Sequence, residues 1–276
     1  MPPVSASSGV RFADLPARSP RGGDRRASGI VPAVERDLDW AGCVNVRDLG
    51  GLSTADGGAT VSRAIVRADN VRRLTERGWM EARNYGIRTI LDLRSDGERA
   101  DDAAVPPDFD VVALSLFDDF DSDPAYRAEL ERRLAGCDVS EAYRVLYTEA
   151  LHRNRTLFAT ALEVIANARE GGVLIHCAAG KDRTGLLAAL LLRLVGVPTS
   201  AVADDYEHSE RRLGMADAAP TGVIDRVIET VETQHGSVET FFLAAGATPV
   251  DIERVRQRLR RPIGCGADVA IRGAQG

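Results

Sequence analysis

Apolar and polar residues alternate along the middle of the chain in two registers, one close to period two and one close to 3.6. "RAIVRA" (63–68) reads as a short strand, and "TERGWMEARNYG" (75–86) as a helix closed by Gly86. "IRTILDL" (87–93) and "DVVALSL" (110–116) are rich in β-branched residues and predict two more strands. A long helical region is expected over 140–168. "GGVLIHC" (171–177) is then the clearest strand of the chain, and "RTGLLAALLLRLVG" (183–196) a helix stopped by Gly196 and Pro198. Strands alternating with helices predict an α/β fold with a parallel-rich central sheet flanked by helices.

From Thr199 onward the pattern becomes helical only. "TSAVADDYEHSERRL", "TGVIDRVIETVETQ", "SVETFFLAAG" and "TPVDIERVRQRL" each open with Ser or Thr near an N-cap position. These additional C-terminal helices are expected to pack on the sheet, or in one case to lid a site. The ends differ in character. Residues 1–36, rich in Pro, Ser, Gly and Arg, read as a disordered leader. Residues 263–276 read as a loose tail, which leaves one domain over 37–262.

Composition narrows the class. The 276 residues are 44% hydrophobic and 28% charged, ordinary for a globular protein. With 35 Lys+Arg against 41 Asp+Glu the net charge is −6, which argues against nucleic acid as a partner. Any attraction for an anion must therefore be local. Four cysteines (Cys43, Cys137, Cys177, Cys265) show no paired spacing and suit free thiols in a reducing compartment. Four histidines, none at ligand spacing, offer no metal site, and no cofactor is expected. No secretory signal and no membrane-spanning run is visible, so the expectation is a soluble, cytoplasmic chain with no integral membrane association.

The chemistry concentrates in "HCAAGKDRTG" (176–185), between the clearest strand and its helix. A loop there sits at the carboxyl end of a strand, where parallel sheets carry their ligands. The backbone N–H groups of Ala178, Ala179, Gly180, Lys181, Asp182 and Arg183 can turn inward on an oxyanion, and the following helix points its positive end at the same place. Arg183 can hold two phosphate oxygens with its planar fork. The same field favours a thiolate at Cys177, able to attack phosphorus in line and give a phospho-cysteine. Thr184 is placed to donate its hydroxyl to that sulfur.

These residues resemble the Cys-x5-Arg signature of the protein tyrosine, dual-specificity and phosphoinositide phosphatases. More narrowly, the loop is similar to that of bacterial tyrosine phosphatases carrying HCxxGKDRTG, the mycobacterial group among them. "NVRDLGG" (45–51), "GIRTILDLRSDGER" (86–99) and "VADDYEHS" (202–209) resemble further signatures of the group, extending the likeness over about 40–260. The resemblance implies a phosphatase domain with Cys177 as nucleophile, Arg183 as phosphate clamp and His176 supporting the thiolate from outside the ring. It implies phosphotyrosine proteins as first substrates, with phosphoserine/threonine proteins and phosphoinositides as alternatives.

Ester cleavage needs an acid for the leaving oxygen and then a base for water. Two sources are open. One is "FDDFDSD" (117–123) after the strand at 110–116, with Asp118 and Asp119 foremost. The other is Asp182 itself, unless it merely orients Lys181 or Arg183. Lys181 is expected as an extra cation at the rim, suited to ligands with several phosphates, or as a partner of Asp182. Arg67 could reach the phosphate or face solvent. Arg47 and Asp48 support the loop or form an ion pair capping the sheet, and Asp92 fixes backbone near the site. Three competing classes remain: a non-catalytic phospho-ligand module, a sulfurtransferase, and an arsenate reductase with Cys137 as resolving thiol. The first typically loses Cys177, Arg183 or Thr184, all present here, and the second gives no reason for "GKDRTG".

Overall fold

A single strand, Gly172–His176, explains most of the architecture, because every one of its residues is buried. A strand buried on both faces must lie inside a covered sheet, and parallel neighbours supply that. The computed structural model describes residues 36–100, 102–117, 124–214 and 221–260. Its sheet comprises β1 (Arg47–Asp48), β2 (Ile65–Ala68), β3 (Ile87–Asp92), β4 (Asp110–Ala113) and β5 (Gly172–His176), in the order β1-β2-β5-β3-β4. All neighbours are parallel except β1, which runs antiparallel to β2. The expected α/β class is the observed one. The short edge strand β1 was not read from sequence.

Side chains alternate across the sheet as a pleat requires. Ile65, Leu91, Val173 and Ile175 face a large core on one side. Val66, Ala68, Ile90 and Leu174 face a smaller one with Trp40, Val46 and Phe109 on the other. α1 (Glu76–Tyr85) belongs to the smaller side; Thr75 caps its start, accepting from the Gly78 amide, and Gly86, left-handed at φ 102, ends it. α2 (Asp96–Arg99) is a single turn shortly after β3, and α3 (Pro124–Leu134) is an 11-residue helix.

The helical region expected at 140–168 is broken into α4 (Val139–Arg153) and α5 (Arg155–Asn167). Asn154 makes the break. Its backbone and side-chain N–H groups both donate to the Ala150 carbonyl, while its own carbonyl accepts from Leu157 and Phe158. α6 (Asp182–Leu194) is apolar almost all round and lies buried against the sheet. α7 (Thr199–Leu213), α8 (Val223–His235), α9 (Val238–Ala244) and α10 (Pro249–Leu259) are the expected C-terminal helices, but they pack mainly on α4, α5, α6 and one another rather than on the sheet.

The N-cap expectation holds for two of these four. Ser237 and Thr248 accept from the Thr240 and Asp251 amides. Thr199 instead lies inside α7 behind Pro198, and α8 starts from Gly222 in a left-handed turn. No helix among the described residues is long and apolar enough to cross a membrane. The expected leader, apart from Arg36, and the expected tail lie outside the described residues, as do Asp118 and Asp119.

Candidate active site

Three consecutive carbonyls shape the loop between β5 and α6. The Ala178 carbonyl accepts from the Asn70 amide (3.1 Å), that of Ala179 from Asn45 Nδ2 (2.9 Å), and that of Gly180 from Arg67 Nη2 (2.7 Å). Each donor lies outside the loop. In a trans peptide the N–H points opposite to the C=O, so these bonds turn the amides of 179, 180 and 181 toward the loop's interior. The result is an inward-facing nest of donors at the N-terminus of α6, a suitable seat for an oxyanion. Gly180 is required for it. Its φ is +69°, and a Cβ there would sit 2.4 Å from the Ala68 carbonyl oxygen. Cys177 opens the loop directly after β5 and is buried.

Arg183, in the first turn of α6, is held as a fork by Glu98: Nη1 reaches Oε2 at 2.5 Å and Nη2 reaches Oε1 at 2.8 Å. Glu98 is itself fixed by accepting from the Ser95 amide (2.8 Å). Partial burial pushes the Glu98 carboxyl up, but the Arg183 and Ser95 hydrogen bonds prevail and hold it at about 2. Thr184 Oγ1 is buried with no hydrogen-bond partner among the described residues. His176 is wholly buried; its Nδ1 lies 3.3 Å from the Cys177 carbonyl, and its Nε2 lies 3.5 Å from Asp92 Oδ2 without a hydrogen bond. Burial lowers this imidazole to about 4, so it is neutral at neutral pH. Asp92 accepts from the amide and guanidinium of Arg94, which fixes backbone beside the loop.

Of the two expectations for Lys181, the structure has the pairing with Asp182 and not the rim cation. This lysine is only 6% exposed, and its ammonium turns inward onto the Tyr143 hydroxyl (2.7 Å) and Asp182 Oδ1 (3.2 Å), over the Tyr143 ring. It is therefore not a cation of the rim. Burial works against its charge, but Asp182 and Tyr143 outweigh this and raise its pKa. Asp182 also accepts from the Tyr147 hydroxyl at 2.5 Å, and Tyr147 lies 2.7 Å from the Tyr206 hydroxyl.

Arg67 neither faces solvent nor points into the cradle. Its second arm, Nη1, pairs with Asp205 Oδ2 at 2.6 Å, so the residue braces the loop from behind. Asp205, buried on α7, also receives Arg36 (2.9 Å) and Arg47 (3.1 Å). Arg47 and Asp48 do not pair with each other. As neighbours in β1 they point to opposite faces, and Asp48 instead accepts from the amides of Gly50 and Arg63 and from the Tyr85 hydroxyl. Asp69, also buried, accepts from the amides of Val44 and Asn45 and thereby sets the Asn45 side chain.

Sequence reasoning singled out neither Asn45, Asp69, Glu98 and Asp205 nor the three tyrosines. Glu98 carried a local signal in the S-x-x-E capping pattern at 95–98, and Asn45, Asp205 and Tyr206 lie inside the signatures at 45–51 and 202–209 without a role read for them. The others act across long sequence separations.

Comparison with known proteins agrees with this geometry. A family model described as "Tyrosine phosphatase family" matches residues 38–261. A tyrosine-protein phosphatase of Nostoc commune is 26% identical over 71% of this chain and 74% of its own length. A putative tyrosine-protein phosphatase of Cupriavidus necator is 26% identical over 86% and 96%. The triple specificity protein phosphatase PtpB of Mycobacterium tuberculosis is 29% identical over 68% and 75%. With a family match over most of its length, this chain belongs to the tyrosine phosphatase family and is a protein-tyrosine phosphatase.

Proposed function

We propose that the chain hydrolyses phosphotyrosine in proteins through a phospho-cysteine intermediate. The observation that carries this reading is the set of three carbonyls pulled outward, which turns successive amides inward beside Cys177 and Arg183. In the first step Cys177 Sγ forms a bond to phosphorus as the ester P–O bond breaks. Arg183 and the loop amides hold the equatorial oxygens, where charge is carried in the transition state. Glu98 keeps the Arg183 fork aligned before substrate arrives. The leaving tyrosyl oxygen takes a proton from Asp182, and Thr184 donates its hydroxyl to the sulfur. In the second step Asp182 accepts a proton from water, whose oxygen bonds to phosphorus as the S–P bond breaks and phosphate departs.

Asp182 is favoured as the acid because it sits in the first turn of α6, next to Arg183, with one carboxylate oxygen anchored. The same geometry bears on substrate. With Lys181 turned inward, no extra rim cation comes from this loop to hold a second phosphate, which supports singly phosphorylated phosphotyrosine over a phosphoinositide with several phosphates. The test compares kcat/KM on a phosphotyrosine peptide, a phosphoserine peptide and a phosphoinositide vesicle, for wild type and Cys177→Ser. The phosphotyrosine peptide is expected to be preferred, and Cys177→Ser to lose turnover on all three. Turnover persisting in Cys177→Ser would overturn the mechanism, and preference for the vesicle would overturn the substrate.

A further inference from the structure

We propose that Tyr147 is the positioning residue for Asp182, and that the Tyr206–Tyr147 hydroxyl pair leaves Oδ2 as the oxygen that carries the transferred proton. The inference rests on Asp182 being the acid.

Hydroxyl valence gives the pair a direction. A tyrosine hydroxyl has one proton to donate. Tyr147 sends its proton to Asp182 Oδ1 at 2.5 Å, so Tyr206, 2.7 Å away, donates to the Tyr147 oxygen. A donor that is itself receiving a hydrogen bond is polarised and donates more strongly. The Lys181 ammonium lies 3.2 Å from the same Oδ1. Both contacts fall on one carboxylate oxygen, and the proton that moves to the leaving group resides on the other.

The rings make this arrangement rigid. Tyr143 and Tyr147, one turn apart on α4, meet edge to face at 5.5 Å, and Tyr147 meets Tyr206 at 6.1 Å and 89°. Tyr206 is pressed onto the first turn of α6, where a Cβ on Gly185 would come within 3.0 Å of its ring. Packing alone would be served by phenylalanine, which avoids the penalty of a buried hydroxyl. Burial first, and the charge of Asp182 next, raise the Tyr147 and Tyr206 hydroxyls well above the ordinary 10, so both remain donors at working pH. The other titratable groups around this centre are Lys181 and Arg183 beside Asp182, Tyr143 from α4, Arg67 behind the loop, and Cys177 facing Arg183.

A donor to a carboxylate favours its ionised form. In Tyr147→Phe the alkaline limb of kcat/KM on a phosphotyrosine peptide is expected to move to higher pH. The plateau should fall about tenfold or more as the carboxyl loses its aim. On 4-nitrophenyl phosphate, whose leaving group needs little protonation, the plateau should fall much less. Tyr206→Phe should shift the limb the same way by a smaller amount, and it tests the chain by itself if Tyr147→Phe does not fold.

Asp182→Asn, measured alongside, separates the two ideas. If it keeps the alkaline limb, the proton comes from elsewhere, and both the acid assignment and this inference fall. If Asp182→Asn loses the limb while the tyrosine variants leave it in place, the acid stands and the positioning role is overturned. An equal plateau loss on both substrates in Tyr147→Phe would also overturn it, since a merely structural defect would not distinguish leaving groups.

Discussion

Asp205→Asn is the substitution that best tests how the loop is held. The carboxylate is buried, and its two oxygens receive Arg36 at 2.9 Å, Arg47 at 3.1 Å and Arg67 at 2.6 Å. Its backbone carbonyl takes a second arm of Arg47 at 2.6 Å. Burial would push this carboxyl up, yet the three guanidinium groups hold it well below the usual carboxylate range. Asparagine keeps the shape but not the charge, and turns one acceptor into an NH2 facing a guanidinium. Breaking a buried ion pair from one side costs about 3–5 kcal/mol.

For a chain of this size each kcal/mol shifts Tm by roughly 2–4 °C, so the midpoint should fall on the order of 10 °C. Activity should fall as well, because Arg67 loses one anchor while its other arm must still hold the Gly180 carbonyl. The assay is a thermal melt at pH 7 with kcat/KM on 4-nitrophenyl phosphate, using exposed Asp204→Asn as the control. A Tm within about 2 °C of wild type would refute the argument that these charges act as one buried unit. The pH sign is also fixed. A carboxyl with a lowered folded pKa contributes stability that is complete above its unfolded value of about 3.9 and is lost as pH falls below it.

Gly180→Ala should remove most activity and lower Tm: a left-handed alanine costs about 1–2 kcal/mol, and its Cβ would meet the backbone of Ala68 and Asp69, which cannot move without shifting β2. Wild-type turnover in this variant would refute the close approach. His176, held at about 4 by burial, should show no imidazole titration by NMR between pH 7.5 and 5. Because the unfolded form binds its proton near 6.5, stability is complete above that value and declines as pH falls toward 4, which urea unfolding at pH 7 and pH 5 would register. A ring titrating near 6.5 would refute it.

The strands were legible because β-branched runs bounded by turn residues leave few alternatives, and β5 most of all. β1 was not, since two residues carry no period. The break at Asn154 was not legible because an asparagine in an apolar helical pattern is common, and only its buried bonds to Ala150 end one helix and begin another. The loop 177–183 was legible in its residue types. Its bracing was not: Asn45, Arg67 and Asp205 meet it across more than a hundred residues or through α7. The rim placement of Lys181 misled for a physical reason, although its pairing with Asp182 was among the readings. A lysine in a polar loop reads as solvated, and nothing local reveals a tyrosine hydroxyl buried behind it.

The placement of charge around the loop follows one rule. Carboxylates close to an inward-facing nest would cancel its field, yet the nest needs anchors, and anchors of cationic donors are acids. Here the acids stand behind the ring or are tied back. Asp205 holds Arg67 from the far side, and Asp69 sets Asn45 through the amides before β1. Asp182, the carboxylate of the loop itself, has one oxygen fastened to Tyr147 and Lys181. The three donors that turn the loop carbonyls outward all come from residues 45–70, so the shape of this short motif is imposed by a distant part of the chain. Grafting the ten residues alone onto another strand and helix should therefore give a loop without the inward amides, whatever its sequence.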